Sequence, residues 1–286
     1  MNQKFIKQVR NIPTLPNVLS QIIQTLDAPN ASASDLERIV RNDQAITTKL
    51  LAVANSAYYG FHHQITTVRQ AVVAVGFTEV RNVCLGLSLM GFLHPSTFPD
   101  RQTAEQLWLH SLATSEAARI LAKHTDACNP GQAFTAGLLH DIGKVIMAAF
   151  AAEKIKGLLA YAREQGCSYR EAEQALEFSH EQVGLELSQR WDLPPVLGQV
   201  IGKHHSLEPG LEHLPLLAVV CAADYIVRSL DIGDSGNPDP PDLPGLALES
   251  MKIDLAGLDE YSQEVKGLEP VIRQHWEEMM GSRTAS

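Results

Sequence analysis

The residues best suited to chemistry are an adjacent histidine and aspartate, His140 and Asp141, in the segment AFTAGLLHDIGKVIM. Lys144 follows one helical turn after His140. Imidazole and carboxylate groups are good ligands for a divalent metal ion, and two neighbouring ligands can share one ion or bridge two. Taken alone, the dipeptide favours a plainer interpretation, a helix end with a solvated aspartate. The metal hypothesis therefore depends on other residues.

Residues of the same types recur along the chain, each on a predicted helix or at its end. One of them is an aspartate inside the apolar run CAADYIV, where burial is costly unless charges or hydrogen bonds compensate it. A histidine cluster that holds a metal ion would supply that compensation. The sequence therefore predicts one buried metal site to which five further residues contribute: His110, His180, His204, His205 and Asp224.

Almost every periodic segment is helical. In PNVLSQIIQTLD the apolar residues recur at spacings of three and four, as on one face of a helix. No segment alternates apolar and polar residues with a period of two over enough positions to predict a strand. The predicted fold class is all-α, and four pairs resemble capping boxes at helix starts: Ser34 with Glu37, Thr103 with Gln106, Ser168 with Glu171, and Ser179 with Gln182.

Proline and glycine predict the division of the chain. The stretch His94–Asp100 contains two prolines, which disfavour helix. DIGDSGNPDPPDLP has few apolar side chains to bury, which predicts a mobile loop. The expected parts are an N-terminal helical unit (1–98), a second helical unit (99–232), a flexible loop (233–250) and a C-terminal helical tail (251–286) that packs back or supports a homodimer.

Composition narrows the function classes. The chain has 286 residues, 23 lysines and arginines, 33 acidic residues and no long basic run, which argues against binding DNA or a membrane surface. The longest apolar stretch, Leu214–Val227, is too short to span a membrane. The N-terminus lacks the apolar stretch of a signal peptide, and the four cysteines form no CxxC pair. We expect a cytoplasmic protein without a membrane span.

The order H…HD…H…HH…D resembles the HD superfamily of metal-dependent phosphohydrolases, particularly its HD-GYP branch. Five segments are more similar to the HDOD domain, the HD-related output domain of bacterial signalling proteins: IPTLPNVLSQII, NDQAITTKLLAVANSAYYG, ITTVRQAVVAVGFTEVRNV, GLLHDIG and WDLPPVLGQVIGKHH. This resemblance covers roughly Phe5 to Leu230. It implies a helical N-terminal unit packed on an HD-type helical bundle.

The resemblance has two functional implications. HDOD domains are generally regulatory modules without enzymatic activity, so it implies protein–protein interaction with a sensor kinase, a response regulator or a cyclic-dinucleotide enzyme. All seven metal-ligand positions are nevertheless filled here, which implies one or two ions of iron, manganese, zinc or nickel. With two ions, Asp141 would bridge them. Lys144 stands where HD-GYP enzymes carry a phosphate-contacting lysine, so Asp141 and Lys144 are the candidate catalytic residues.

Two departures count against an active cyclic-dinucleotide phosphodiesterase. SLEPG follows His205 where the enzymes have the GYP signature, and Gln106 stands where some three-metal proteins have an acidic ligand. Adjacent helical residues also point about 100° apart, so His204 and His205 are expected to serve different ions, or one of them to lie outside the ligand set. The preferred prediction is a signalling module. The alternative is a metal-dependent phosphohydrolase acting on a nucleotide or cyclic dinucleotide.

Overall fold

The structure is a computed structural model, and it describes residues 15–25, 30–41, 43–56, 59–61, 63–93, 101–237 and 242–280. Within these residues every regular element is an α-helix and no strand is present. The predicted all-α fold class is confirmed.

The described residues fall into two compact units. The smaller unit comprises 15–93 and 268–280, and the larger unit comprises 101–237 and 242–267. The predicted boundary segment, His94–Asp100, lies outside the described residues. The smaller unit begins with α1 (Asn17–Gln24), α2 (Ala33–Val40), α3 (Gln44–Ala54), α4 (Val68–Val75) and α5 (Phe77–Phe92).

The larger unit contains nine complete helices among its described residues and the first half of a tenth. They are α6 (Arg101–Thr125), α7 (Pro130–Leu139), α8 (Ile142–Phe150), α9 (Ala152–Gln165), α10 (Tyr169–Ala175), α11 (His180–Arg190), α12 (Pro195–Lys203), α13 (Leu214–Ser229), α14 (Gly245–Met251) and α15 (Leu255–Met280). Helix α15 is divided between the two units after Gly267, whereas the sequence suggested a separate tail.

Helix α5 is the centre of the smaller unit and packs against all four preceding helices. Its residues from Val80 to Met90 are buried. After α3, the side-chain amide of Asn55 donates to the Ile65 carbonyl and accepts from the Ile65 N–H, each at 2.8 Å. Asn55 is the first residue of the segment NSAYYG. It therefore connects the end of α3 to Ile65.

The predicted capping box at the start of α2 is displaced by two residues. The structure has Ser32 as the N-cap, its hydroxyl accepting from the Asp35 N–H while the Asp35 carboxylate accepts from the Ser32 N–H. Ser32 has the extended backbone of an N-cap, whereas Ser34 already lies in the first turn of the helix. Glu37 instead pairs with Arg69 of α4 at 3.1 Å.

Helix α6 organises the larger unit. It is 25 residues long and packs against α7 and α13, while α11 packs against α8 and α12. The segment Pro130–Phe150 is long and apolar enough to cross a membrane, but 89% of its apolar window is buried within the fold. It is also interrupted at His140 and Asp141, where α7 ends and α8 begins. We interpret it as a pair of core helices.

The segment predicted as a flexible loop, 233–250, is partly ordered by packing. Ile232 is fully buried, and the Asp234 N–H donates to the Gln106 carbonyl of α6 at 3.2 Å. Gly233 has a left-handed backbone, and a Cβ there would overlap the backbone of His110, so only glycine permits this approach. The segment also contains helix α14. Its residues 238–241 lie outside the described part of the chain.

Gly143 allows α8 and α11 to approach each other closely, and Gly184 allows α11 to lie close to α12. A Cβ added to Gly143 would overlap the carbonyl group of His180, and one added to Gly184 would overlap the Ile201 side chain. His180 is the first residue of α11, and Asp141 immediately precedes α8. Gly143 therefore lets these two predicted ligands lie within reach of one another.

We expect Gly143→Ala to destabilise the protein by about 1–3 kcal/mol, because the added methyl group must displace a backbone carbonyl in a packed interior. Urea denaturation measures this. Gly157→Ala is the matched control, because a Cβ at Gly157 in α9 meets nothing within 4 Å. It should be neutral or stabilising, by up to about 1 kcal/mol. Equal effects of the two substitutions would contradict the close approach.

Candidate metal centre

The structure brings together all seven residues that the sequence proposed as metal ligands, and all lie in the larger unit. They come from helices far apart in sequence: His110 in the middle of α6, His140 and Asp141 between α7 and α8, His180 at the start of α11, His204 and His205 after the end of α12, and Asp224 in α13. Six of them are at most 6% exposed, and His205 is half-buried.

Asp141 lies at the centre of the cluster, and its two oxygens face different histidines. Oδ1 is 3.5 Å from His180 Nε2 and 3.4 Å from His204 Nε2. Oδ2 is 3.4 Å from His140 Nε2 and 3.9 Å from His110 Nε2. One carboxylate therefore separates two groups of ligands.

We name these groups half-site A and half-site B. Half-site A consists of Asp141 Oδ1, His180, His204 and His205, whose ligand atoms lie within 4.8 Å of one another. Half-site B consists of Asp141 Oδ2, His110, His140 and Asp224. In half-site B, Asp224 Oδ1 is 3.1 Å from His110 Nε2 and 3.8 Å from His140 Nε2.

His204 and His205 lie in the same half-site, and the expectation that they serve different ions, or that one lies outside the ligand set, stays a prediction. Helix α12 ends at Lys203, so both histidines follow its last helical residue. Their rings are 4.1 Å apart, centroid to centroid.

Hydrogen bonds at Nδ1 orient three of the imidazoles. Nδ1 is 2.7 Å from the Gly137 carbonyl in His140, 3.1 Å from the Ile201 carbonyl in His204, and 2.8 Å from the Glu173 carboxylate in His180. These partners only accept hydrogen bonds, so in the neutral form of each imidazole Nδ1 carries the proton and Nε2 presents a lone pair to the cluster. Metal-binding histidines are commonly oriented in this way.

The cluster contains buried acceptors that no protein donor satisfies. The Nε2 atoms of His110, His140 and His205 and Oδ1 of Asp141 have no hydrogen-bond partner. The Nε2 atoms of His180 and His204 face each other at 3.4 Å. Buried acceptors without a donor are costly, and a divalent cation would satisfy them together. Nitrogen and carboxylate donors of this kind suit iron, manganese, zinc or nickel, so the residues fit a metal ion.

Electrostatics place most of these groups in the protonation states that metal ligands need. Burial raises the pKa of Asp141, but the Lys144 ammonium and His140 outweigh it and hold the pKa well below its usual range. Burial opposes ionisation of Asp224 too, yet the His110 imidazole 3.1 Å from its Oδ1 lowers its pKa. Both carboxylates are therefore ionised at neutral pH.

Four of the histidines have shifted pKa values, and the shifts go in two directions. Burial lowers the pKa of His110, His204 and His205, so these imidazoles are neutral at neutral pH and free to bind metal. Burial also disfavours the charged form of His140, but the nearby carboxylates of Asp141 and Asp224 outweigh it and raise its pKa.

Lys144 contacts Asp141 directly. Its ammonium group donates to Asp141 Oδ2 at 2.8 Å, and its side chain is 3% exposed. Nζ also lies 5.7 Å from the centre of the Tyr169 ring. The family resemblance implied contact with a phosphate group instead. A buried ammonium needs a carboxylate partner, and Asp141 is on the adjacent helical turn.

Glu173 of α10 was not predicted from the sequence. It is 1% exposed, and its Oε1 accepts both the backbone N–H and Nδ1 of His180, each at 2.8 Å. It therefore fixes the position of His180. Its spacing of four residues from Tyr169, which places both on the same face of α10, was the one signal that could have indicated this residue. The sequence does not show that His180 lies nearby.

A cavity of about 210 Å³ leads to Lys144. Its lining is mostly apolar or neutral, with Asp234 as the second charged group. The residues are Thr103, Leu107, Lys144, Ile155, Leu159, Tyr169, Asp234, Ser235 and Gly236. Of the predicted site residues, only Lys144 lines this cavity.

The cysteines take no part in the cluster. All four are free thiols, and burial raises the pKa of Cys84, Cys128 and Cys221 to about 12. A buried thiol with a raised pKa is a poor nucleophile.

The sequence model of the HDOD domain family matches residues 12–207. A solved HDOD domain protein of unknown function from Geobacter sulfurreducens is 25% identical, with a TM-score of 0.81 over 97% of this chain and 96% of its own. A second structure, from Marinobacter aquaeolei VT8, is provisionally named a signal transduction protein. It is 21% identical, with a TM-score of 0.79 over 98% of this chain and 62% of its own.

A third structure, from Shewanella amazonensis SB2B, is provisionally named a phosphohydrolase. It is 20% identical, with a TM-score of 0.72 over 99% of this chain and 98% of its own. An uncharacterised protein of Treponema pallidum is 29% identical over 227 residues, which is 78% of this chain. The chain matches only 44% of the length of that relative.

We expect Glu173→Gln to weaken metal binding about 10–100-fold, because a neutral amide holds the His180 N–H groups less strongly than a carboxylate does. Competition with a fluorescent chelator measures the affinity for Mn²⁺. Glu164→Gln, on the exposed face of α9, is the control and should leave affinity unchanged. Unaltered affinity in Glu173→Gln would show that His180 does not depend on Glu173.

We also expect the metal-free protein to lose stability as the pH falls below about 6.5, the ordinary histidine pKa. His110, His204 and His205 have lowered pKa values in the fold. Below that pH the unfolded chain takes up protons that the folded chain does not. Each of the three groups therefore lowers the free energy of unfolding by up to about 1.4 kcal/mol per pH unit, until the pH reaches the pKa of that group in the folded state. The raised pKa of His140 has the opposite effect on stability. It stabilises the folded chain as the pH falls, and this stabilisation is complete at low pH.

Calorimetry in the presence of a chelator at about pH 7.5 and about pH 5.5 tests this linkage. The His205→Asn variant should show a weaker dependence on pH, because one of the three groups is gone. A melting temperature that rises on acidification would contradict the assignment.

Proposed function

The chain belongs to the HDOD domain family, and from that membership we propose that it is a bacterial signal-transduction module that acts through protein–protein interaction and retains an HD-type metal centre. Its partner is a signalling protein: a sensor kinase, a response regulator or an enzyme of cyclic-dinucleotide metabolism. The net charge of −10 and the lack of a basic run speak against DNA as the partner.

The inaccessibility of the candidate centre supports a regulatory role over a catalytic one. Pockets that hold ligands of drug size usually measure about 300–1,000 Å³, and the cavity at Lys144 measures about 210 Å³. That is small for a cyclic dinucleotide. Asp141 and four of the histidines are each 1% exposed. A substrate would have to displace protein groups before its phosphate reached the centre.

The smaller unit also supports a role in interaction. The HDOD family model includes it, although all seven predicted ligands lie in the larger unit, so hydrolysis alone would not require it. It has an apolar groove of about 820 Å³ beside two exposed hydrophobic side chains, Phe61 and Val73. Exposed apolar surface of this kind is common where proteins bind one another.

In this proposal the site residues act as a cross-link between helices. When bound, a divalent ion supplies the positive charge that satisfies the buried acceptors. His180 and His204 then hold the start of α11 to the end of α12, and Asp141 holds both to the junction of α7 and α8. Binding that favours the folded state stabilises it. The larger unit thereby becomes more rigid, and a partner can detect that change.

One observation favours the alternative, a metal-dependent phosphohydrolase that acts on a nucleotide or cyclic dinucleotide. The Asp141 carboxylate lies between two groups of histidines, an arrangement suited to two-ion catalysis. In that case Asp141 holds the ions, and Lys144 leaves Asp141 to contact a phosphoryl oxygen. Lys144 would then stabilise developing charge.

A hydrolysis assay distinguishes the two functions. Protein loaded with iron, manganese, zinc or nickel is incubated with bis(p-nitrophenyl) phosphate, mononucleotides and cyclic dinucleotides, beside an Asp141→Asn variant prepared in the same way. A regulatory module should give no more product than the variant, although elemental analysis shows bound metal. Turnover that Asp141→Asn abolishes would establish the phosphohydrolase instead.

Metal removal should lower the melting temperature. At a free ion concentration 100 times the Kd, binding contributes about 2.7 kcal/mol, which corresponds to about 5–10 °C for a unit of this size. Calorimetry with Mn²⁺ and with a chelator measures the difference. Asp141→Asn should lose most of the shift, whereas the exposed Asp259→Asn in α15 should retain it. A shift that is equal in both variants would place the ion elsewhere.

A further inference from the structure

We propose that the apolar groove of the smaller unit binds one amphipathic helix of the partner protein, and that an acidic side chain flanks the apolar stripe of that helix. Helix α4 and the loop before it line the groove, and all of its described lining residues lie between Gly60 and Ala74. This inference rests on the proposed function, because it gives the interaction a surface and the partner a chemistry.

The groove contains exposed apolar side chains that a hydrophobic stripe can cover. Val73 on α4 is 81% exposed, Phe61 in the loop is 43% exposed, and both line the groove. They are two of the four large hydrophobic side chains that are exposed among the described residues. Apolar surface that is concentrated at one place, rather than scattered, is typical of a site of protein interaction.

The Phe61 ring is already held in position. It stacks on the ring of Tyr59, with centroids 6.2 Å apart and an interplanar angle of 5°. The Tyr59 hydroxyl donates to the Glu79 carboxylate at 3.1 Å, and the other neighbour of its ring is His275 of α15. An aromatic side chain that is ordered beforehand loses little conformational freedom when a partner covers it. Phe61 is therefore suited to anchor a bound helix.

The shape of the surface suits a helix. Four of the lining residues, Arg69, Gln70, Val73 and Ala74, lie on one exposed face of α4, because three- and four-residue spacings join neighbouring turns. Gly60 and Ala74 are small, which allows the axis of a second helix to approach α4 to about 8–10 Å. The described residues include no strand whose edge an extended peptide could continue.

The charges around the groove favour an acidic residue in the partner. The sequence from Gln44 to Thr78 contains no Asp or Glu, although the whole chain has 33 of them and a net charge of −10. Among the described lining residues, Arg69 is the one lysine, arginine or acidic side chain. Because like charges repel, a partner carboxylate approaches this segment more readily than the acidic remainder of the chain.

Arg69 retains a donor for that carboxylate. Its Nε and Nη2 atoms donate to Glu37 Oε2 at 3.3 and 3.1 Å, and Nη2 also donates to the Ser34 hydroxyl. Within the described part of the chain, Nη1 makes no hydrogen bond. A guanidinium group has five N–H donors and can bind a second carboxylate. The acidic residue of the partner helix is thus placed beside Arg69, about one helical turn from Val73.

A second copy of the chain is a less suitable occupant. In a two-fold dimer through the groove, the same patch of each chain would face the other. The described lining residues include no carboxylate that could meet Arg69 of the second chain. Two chains that each carry a net charge of −10 also repel one another.

Peptide selection on the full chain provides the probe. A phage library of random peptides of about 16 residues, long enough for four helical turns, is selected on the immobilised wild-type protein. We expect the enriched peptides to share apolar residues at helical spacing and an Asp or Glu beside them. The affinity of an enriched peptide, synthesised with a fluorescent label, is then measured by fluorescence anisotropy.

Val73→Asp should weaken the binding of this peptide at least about tenfold, because the new carboxylate would be covered by apolar side chains without a partner. Leu255→Asp is the matched control. Leu255 is also an exposed hydrophobic residue, 65% exposed at the start of α15, and its replacement should leave the affinity unchanged. Neither exposed substitution should unfold the protein, which the melting temperature checks.

A charge exchange tests the position of the acidic residue. Arg69→Glu should weaken binding of the acidic peptide about two- to fivefold, the range of an exposed ion pair. A peptide with Lys in place of its acidic residue should bind Arg69→Glu more tightly than it binds the wild type. Arg163→Glu makes the same change of charge at an exposed position of α9. It should not change the ratio of the two peptide affinities.

Several results would overturn the inference. These are the absence of enriched peptides, an affinity that is equal in Val73→Asp and the wild type, or a lysine peptide that prefers the wild type to Arg69→Glu. A wild type that sediments as a dimer, together with a monomeric Val73→Asp variant, would make a second copy the occupant instead. Turnover that Asp141→Asn abolishes would overturn the regulatory function, while the peptides would still decide whether the groove binds a helix.

Discussion

The burial of one carboxylate, that of Asp141, is the constraint on which the larger unit depends. An ionised carboxylate in a packed interior is tolerated only when positive charge or donors surround it. Lys144 supplies one such group at Oδ2, and the neighbouring Nε2 atoms present lone pairs instead of donors. A bound metal ion would use these facing acceptors as ligands, so their burial would no longer cost free energy. The same groups therefore couple metal binding to folding.

The close approach of the helices follows from this requirement. Asp141 and His140 occupy the break between α7 and α8, where two neighbouring side chains can point into the interior. His180 reaches them from α11 because Gly143 has no side chain that would separate the two backbones. Gly233 plays a similar part where the segment after α13 lies against His110. The ligand geometry thus depends on residues that bind nothing themselves.

Residue type and order were enough to find the seven candidate ligands, since histidine and aspartate are rare in apolar helices. Helix starts were less certain. Ser168 with Glu171 does form a capping box, and Ser179 is an N-cap, but the box at α2 uses Ser32 and Asp35. The predicted pair, Ser34 with Glu37, and the observed pair, Ser32 with Asp35, both have the spacing of a capping box. Only the backbone conformation distinguishes them. Thr103 lies inside α6, which begins at Arg101.

The roles of the groups around the ligands could not be predicted, because they depend on contacts between distant segments. Glu173 looks like an ordinary helical glutamate until α10 is placed beside His180. Lys144 shows the same limit over a shorter distance: its spacing from Asp141 allows either an ion pair along the helix or a side chain directed to a bound phosphate. Burial favours the ion pair, because an ammonium group with 3% exposure needs a carboxylate to compensate its charge.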